Sequence, residues 1–243
     1  MERSRARRIG AKAWFCALSV LLLGTTKGQA SPTVIDLQAT ADQPGVVIFP
    51  AQLAGPRPIT VVLHGMCGDA ARTCSYFAEQ VTRTANLICP RAGARCASGG
   101  ASWPDEGIAA AVEAAVTRAK TALPAVDDAH GRTLIGYSLG AYRAVAVAQA
   151  SVGSYPRVML IGAKVTLDQA RLQQNGTARV LLCAGNRDMM HDAMQREAAR
   201  ARRAGLGTRF LDLGPVGHFF TPSFAEYLPQ ALSWLSGAEP PRP

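Results

Sequence analysis

A three-layer α/β/α sandwich built on a mostly parallel sheet is the fold this sequence predicts, and three observations lead there. Short apolar runs such as Ile59–Leu63, Arg157–Ile161 and Ala178–Ala184 show no polar alternation, as expected of strands covered on both faces. Helical patterns separate these runs, so the connections read as right-handed crossovers between parallel strands. The glycine-rich segments able to carry chemistry follow strand ends, which in a parallel sheet share one edge.

At 243 residues the chain is long enough for one α/β domain with a substantial core. The first thirty residues are expected to lie outside it. Arg3, Arg5, Arg7, Arg8 and Lys12 precede an apolar run, Ala13–Gly24, and Gly28-Gln29-Ala30 offers a small-x-small cleavage site. The run is short for a bilayer span, and the order of features is that of a signal peptide. The expectation is a signal peptide over 1–30, a single domain over 31–238 and a Pro-rich disordered tail over 239–243. The protein would then be exported, periplasmic or extracellular, with no stable membrane insertion after cleavage.

The formal charge is +9, but the first thirty residues carry six basic and one acidic side chain, leaving +4 on the remainder. The remaining basic residues are scattered, apart from Arg196, Arg200, Arg202 and Arg203 on one helix. That cluster reads as a solvated face, and no nucleic-acid partner is expected. Nothing in the sequence sets an oligomeric state.

Taken in order, Val34–Leu37 and Val46–Pro50 form an edge hairpin around Asp42-Gln43-Pro44-Gly45. Gly55-Pro56-Arg57-Pro58 breaks the chain before the strand Ile59–Leu63, which ends in His64-Gly65-Met66-Cys67-Gly68. A helix over Thr73–Ala85 leads to the strand Asn86–Cys89. The segment Pro90–Pro104 is a long irregular loop, with a disulfide and Trp103 favouring an ordered one. Asp105–Leu123 is an Ala-rich helix with acidic residues in its first turn. Strands at Arg132–Gly136, Arg157–Ile161, Ala178–Ala184 and Thr208–Leu213 then alternate with helices at Ala141–Ala150, Thr166–Gln174, Met189–Ala204 and Phe224–Leu235.

Five cysteines follow the leading segment, and 67/74 and 89/96 share the same spacing. In an oxidising compartment such cysteines persist as disulfides. Connectivity is not deducible from sequence; the spacing suggests local pairs, Cys67–Cys74 and Cys89–Cys96, with Cys183 a buried thiol in a strand. Zinc is the competing reading, and it lacks the required Cys and His spacings. No metal or other cofactor is implied.

Gly136-Tyr137-Ser138-Leu139-Gly140 lies where a buried strand turns directly into a helix. The glycines clear space at the cramped corner, and Ser138 sits at its tip above a helix N-terminus, where an oxyanion would be stabilised. A serine hydroxyl needs a base in reach, and the base needs a carboxylate to fix its tautomer. His218, in Gly217-His218-Phe219, and Asp188, in Gly185-Asn186-Arg187-Asp188, follow later strands. Asp192 is the alternative carboxylate, disfavoured because it falls within the following helix. His130 and His191 belong to no motif and read as surface residues.

These motifs, in the chain order Ser…Asp…His, resemble those of the α/β-hydrolase fold superfamily across Val46–Trp234, with small secreted carboxylesterases and dienelactone-hydrolase-like enzymes the nearest in kind. The resemblance implies Ser138 as nucleophile, His218 as base and Asp188 as acid, with the backbone N–H groups of Met66 and Leu139 as the oxyanion hole. His64, Tyr137, Trp103 and Phe219 are expected around the substrate, His64 as a support of the oxyanion loop and Trp103 as a wall, with core packing the alternative for Trp103. A Cys67–Cys74 bridge would hold that loop preorganised. Gly162–Thr177 leaves room for only a short helix, so little or no lid is expected. The implied substrate is a small-molecule ester. A peptidase or thioesterase of the same fold, or a non-catalytic exported binding protein, are the alternatives.

Overall fold

The computed structural model describes residues 34–238; the expected signal peptide and C-terminal tail lie outside the described residues. An eight-stranded sheet forms the middle layer. Its strands are β1 (Ile35–Leu37), β2 (Val46–Phe49), β3 (Ile59–Leu63), β4 (Asn86–Pro90), β7 (Thr133–Tyr137), β8 (Arg157–Ile161), β9 (Arg179–Ala184) and β10 (Gly207–Asp212). Their spatial order is β1-β2-β4-β3-β7-β8-β9-β10. β1 and β2 pair antiparallel at one edge, as does β2 with β4. From β4 to β10 every neighbouring pair is parallel. The edge hairpin is therefore where the sequence places it.

The helices are α1 (Ala70–Val81), α2 (Ile108–Ala122), α3 (Leu139–Ala150), α4 (Gln169–Gln174), α5 (His191–Arg203) and α6 (Phe224–Ser236). Successive side chains of a strand point to opposite faces, and the core divides accordingly. Val61 and Leu63 of β3 pack with α2, α3 and α5 on one side. Val62 packs with α1 and α6 on the other. No helix among the described residues is long and apolar enough to cross a membrane.

Three local readings change. α2 starts at Ile108, three residues later than expected, so Asp105 and Glu106 precede its Gly107 cap and its first turn holds no acidic residue. α1 starts three residues before the expected helix, because the Asp69 carboxylate accepts from the Arg72 backbone N–H and caps it. Within the expected irregular loop, β5 (Ala94–Arg95) and β6 (Ala101–Ser102) pair as a small antiparallel hairpin. The segment between β8 and β9 does not rise over the sheet edge. Asn175 at the end of α4 donates to the Gln149 carbonyl at the far end of α3, and Ala178 N–H donates to Pro156 before β8. That segment thus runs down the flank, away from the carboxyl ends of the strands.

Candidate active site

Ser138 occupies the corner between β7 and α3 with φ 53° and ψ −120°, a left-handed conformation that non-glycine residues seldom adopt. Its N–H donates to the Ile161 carbonyl, and its own carbonyl accepts from Ala141. Both flanking glycines are required by close backbone approach. A Cβ on Gly136 would lie 2.3 Å from the Gly140 carbonyl oxygen, and one on Gly140 would lie 2.2 Å from that of Leu63. The second contact brings the first turn of α3 against the end of β3, where the His64–Gly68 loop begins.

Asp188 and His218 reach the same edge from β9 and β10. The two loops carrying them are joined by main-chain bonds, Asn186 N–H to the Gly214 carbonyl and Arg187 N–H to that of Val216. The Asp188 carboxylate is almost wholly buried; Oδ1 accepts from the Met190 N–H at 2.9 Å and Oδ2 from His218 Nδ1 at 2.8 Å. A carboxylate can only accept, so Nδ1 carries the proton and Nε2 is left as an acceptor. Nε2 lies 2.9 Å from Ser138 Oγ, whose hydroxyl donates to it. Ser138, His218 and Asp188 therefore form one continuous hydrogen-bonded chain. Asp192 is turned elsewhere: it accepts from His191 Nδ1 at 2.9 Å in the first turn of α5. His191 is not the plain surface residue expected, since it also faces Asp212 at 3.4 Å and packs edge-on against Phe210. His130 is exposed.

Two further features position His218. Tyr137 donates from its hydroxyl to the His218 carbonyl at 2.8 Å, and its ring stacks on the imidazole with centroids 5.5 Å apart. Burial, aided by the Asp188 charge, pushes the Tyr137 phenol above its usual range, so it remains a donor. Gly162, at φ 61°, backs the Asp–His pair; a Cβ there would meet Asp188 Oδ2 and the His218 ring at 3.1 Å. Gly162→Ala is expected to strain the backbone by about 1–2 kcal/mol and to tilt the imidazole. Thermal unfolding should register the first effect and a fall in kcat of up to about 10²-fold, the scale of a 1 Å misplacement of reacting groups, the second.

The loop after β3 lies beside Ser138, since a Cβ on Gly65 would sit 3.3 Å from the Ser138 Cβ. Among the described residues the Met66 and Leu139 backbone N–H groups donate to no protein acceptor, and Leu139 opens α3. His64 is buried under this loop, with Nδ1 donating to the Gly65 carbonyl at 2.8 Å. Burial holds its pKa below the usual histidine range, so the ring is neutral at pH 7. Trp103 is not the accessible wall expected. It is buried, its indole N–H donates to the His64 carbonyl at 2.7 Å, and its ring lies 4.6 Å from the imidazole. A buried indole needs an acceptor for its N–H, and the end of β3 supplies one.

The disulfides also differ from the expected local pairs. Cys67 is bonded to Cys96 and Cys74 to Cys89, while Cys183 is a buried free thiol. The reason is helical geometry. Cys74 belongs to the α1 face formed by Ala70, Thr73, Phe77, Ala78 and Val81, which is buried, and it meets Cys89 of β4 there. It cannot turn back to Cys67, which precedes the helix and lies beside the β5–β6 hairpin. Hairpin and loop are also joined by Ala101 N–H donating to the Gly68 carbonyl.

A groove of about 650 Å³ runs past Cys67 and the hairpin turn to Tyr76, Tyr137, Phe219 and Phe220. Phe219 is 63% exposed and lines this groove.

No family model matches the sequence, and no curated protein sequence matches it. Solved structures do. FphF, a fluorophosphonate-binding serine hydrolase of Staphylococcus aureus, is 13% identical with a TM-score of 0.67, covering 84% of this chain and 98% of its own. S-formylglutathione hydrolase (FrmB) from the same organism is 12% identical with a TM-score of 0.61, over 84% and 98%. A ferulic acid esterase is 14% identical with a TM-score of 0.64, over 86% and 99%. With its parallel sheet, helices on both faces and this likeness, the chain has the α/β-hydrolase fold.

Proposed function

We propose that the chain is an exported serine hydrolase that cleaves a carboxylic ester through an acyl-enzyme. The observation that carries this reading is the unbroken line from Asp188 through His218 to Ser138 Oγ, at 2.8 and 2.9 Å. Ser138 Oγ attacks the ester carbonyl while His218 Nε2 takes its proton, and Asp188 steadies the resulting imidazolium. Negative charge gathers on the carbonyl oxygen, where the Met66 and Leu139 N–H groups and the N-terminus of α3 receive it. The imidazolium then gives its proton to the departing alcohol, leaving the acyl group on Ser138. Water, deprotonated by His218, releases the acid. Similarity in fold to an esterase and to two hydrolases supports the reaction class. Two disulfides and the basic-then-apolar leader support export.

The test is labelling of the protein lacking residues 1–30 by a fluorophosphonate probe, beside Ser138→Ala. Labelling of the wild type alone, with turnover of short p-nitrophenyl esters, is the expected result. Equal labelling of both, or none of folded and oxidised protein, would set this function aside.

A further inference from the structure

The groove lined by Tyr137, the residue before Ser138, and by Cys67 of the loop after β3 is unevenly furnished. One wall is aromatic: the Phe220 ring lies 4.8 Å from Tyr76 and 4.5 Å from Tyr137, with Phe219 exposed at the edge. The same groove is lined by Arg72, on the first turn of α1 and four residues before Tyr76. Arg72 is exposed, and among the described residues no carboxylate lies within 4 Å of its side chain.

The other charged residue of the groove, Asp69, is already engaged. Its Oδ1 accepts from the Arg72 backbone N–H at 2.7 Å, and its Oδ2 faces the Arg91 guanidinium at 3.7 Å. Asp188, at the neighbouring end of the site, is committed to His218. Arg91 is itself paired with Asp36 at 2.8 Å, and the groove presents a flat apolar surface and one guanidinium with no carboxylate within 4 Å of it among the described residues. Arginine matches a carboxylate with two parallel N–H donors and holds it more firmly than a point charge would. Aromatic walls select flat rings by offset or edge-on stacking.

On the reading of Ser138 as nucleophile, we propose that the substrate is an ester carrying an aromatic ring with a separate, free carboxylate: the ring lies along Tyr76, Phe219 and Phe220, and the carboxylate pairs with Arg72. Arg72 is then the residue that selects for acidic substrates.

The experiment compares 4-acetoxybenzoate with its methyl ester, methyl 4-acetoxybenzoate, which is neutral and intrinsically the more reactive aryl acetate. Wild type should show a KM roughly tenfold lower for the acid, the scale of one charge-assisted contact, and this gap should narrow with added salt. Arg72→Gln should abolish the gap while leaving turnover of the neutral ester within about twofold, as expected when only uniform binding is lost. Arg72→Lys should restore part of it. Calorimetric binding of both compounds to Ser138→Ala, with and without Arg72→Gln, reads the same preference independently of turnover. Equal affinity for the two compounds, or a preference that survives Arg72→Gln, overturns the proposal. Absent turnover and absent fluorophosphonate labelling, with the binding preference intact, would remove the esterase reading and leave the carboxylate site standing. Equal binding with turnover intact would do the reverse.

Discussion

Asp188→Asn is expected to lower kcat by about 10⁴-fold, the cost of the wrong histidine tautomer in a Ser-His-Asp triad, with little change in KM or thermal stability. The size of the effect follows from which oxygen does what. Oδ1 of Asp188 accepts from the Met190 N–H and Oδ2 from His218 Nδ1. In the asparagine variant the carbonyl oxygen must take the Oδ1 position, since an amide NH₂ there would face a backbone donor. The NH₂ group then points at His218 Nδ1 and requires it to accept. The imidazole proton moves to Nε2, which lies 2.9 Å from Ser138 Oγ. A donor would then face the serine hydroxyl, and no base is left to take its proton. Asp192→Asn should leave kcat unchanged, because Asp192 is bonded to His191 on the outside of α5. Steady-state kinetics of the two variants decide between the carboxylates. Loss of activity in the Asp192 variant alone would reverse the assignment.

Residues set by local pattern were legible in the sequence; residues set by loop closure were not. Unbroken apolar runs exposed β3, β8 and β9 because a strand covered on both faces has no polar side to alternate with. Ser138, Asp188 and His218 were legible for a related reason: parallel strands end on one edge, so residues 80 apart in the chain come within hydrogen-bonding distance. The bracing of His218 by Tyr137 had no such signal. The bond is made to a backbone carbonyl 81 residues away, and any residue at position 218 would offer that carbonyl. Gly162 reads as an ordinary turn glycine until the Asp–His pair is seen packed against it. The local pair Cys67–Cys74 could have been set aside. Spacing says nothing of which way a cysteine faces, whereas the apolar stripe of α1 includes Cys74 and directs it to the sheet. Asp69, in cap position before that stripe, was the missed mark of where the helix begins.

Opening the Cys67–Cys96 bridge should cost catalysis more than opening the Cys74–Cys89 bridge, although both are expected to lower stability by about 3–4 kcal/mol on a chain-entropy basis. Cys67 follows Met66 directly and sits at φ 49°, one of two non-glycine residues with positive φ among the described residues. A single residue held there stores roughly 1–3 kcal/mol of backbone strain, which relaxes once its restraint is lost. The restraint is the hairpin turn. Cys96 is bonded to Cys67, and Gly100 passes so close that a Cβ on it would lie 2.2 Å from the Cys67 carbonyl oxygen. Without the covalent link, Cys67 can relax and move the Met66 N–H, the donor proposed for the oxyanion. Loss of one such donor lowers kcat by about 10²–10³, so Cys67→Ser with Cys96→Ser should fall by that factor with KM far less affected. Cys74 and Cys89 join α1 to β4 inside the core, away from the reacting atoms. Their double serine variant should therefore melt earlier yet keep kcat within about threefold when assayed below its unfolding transition, a change under 1 kcal/mol. Equal losses of kcat in the two double variants would show that the bridges act only through stability, and the oxyanion loop would then owe its shape to the hydrogen bonds of His64 and Gly68 alone.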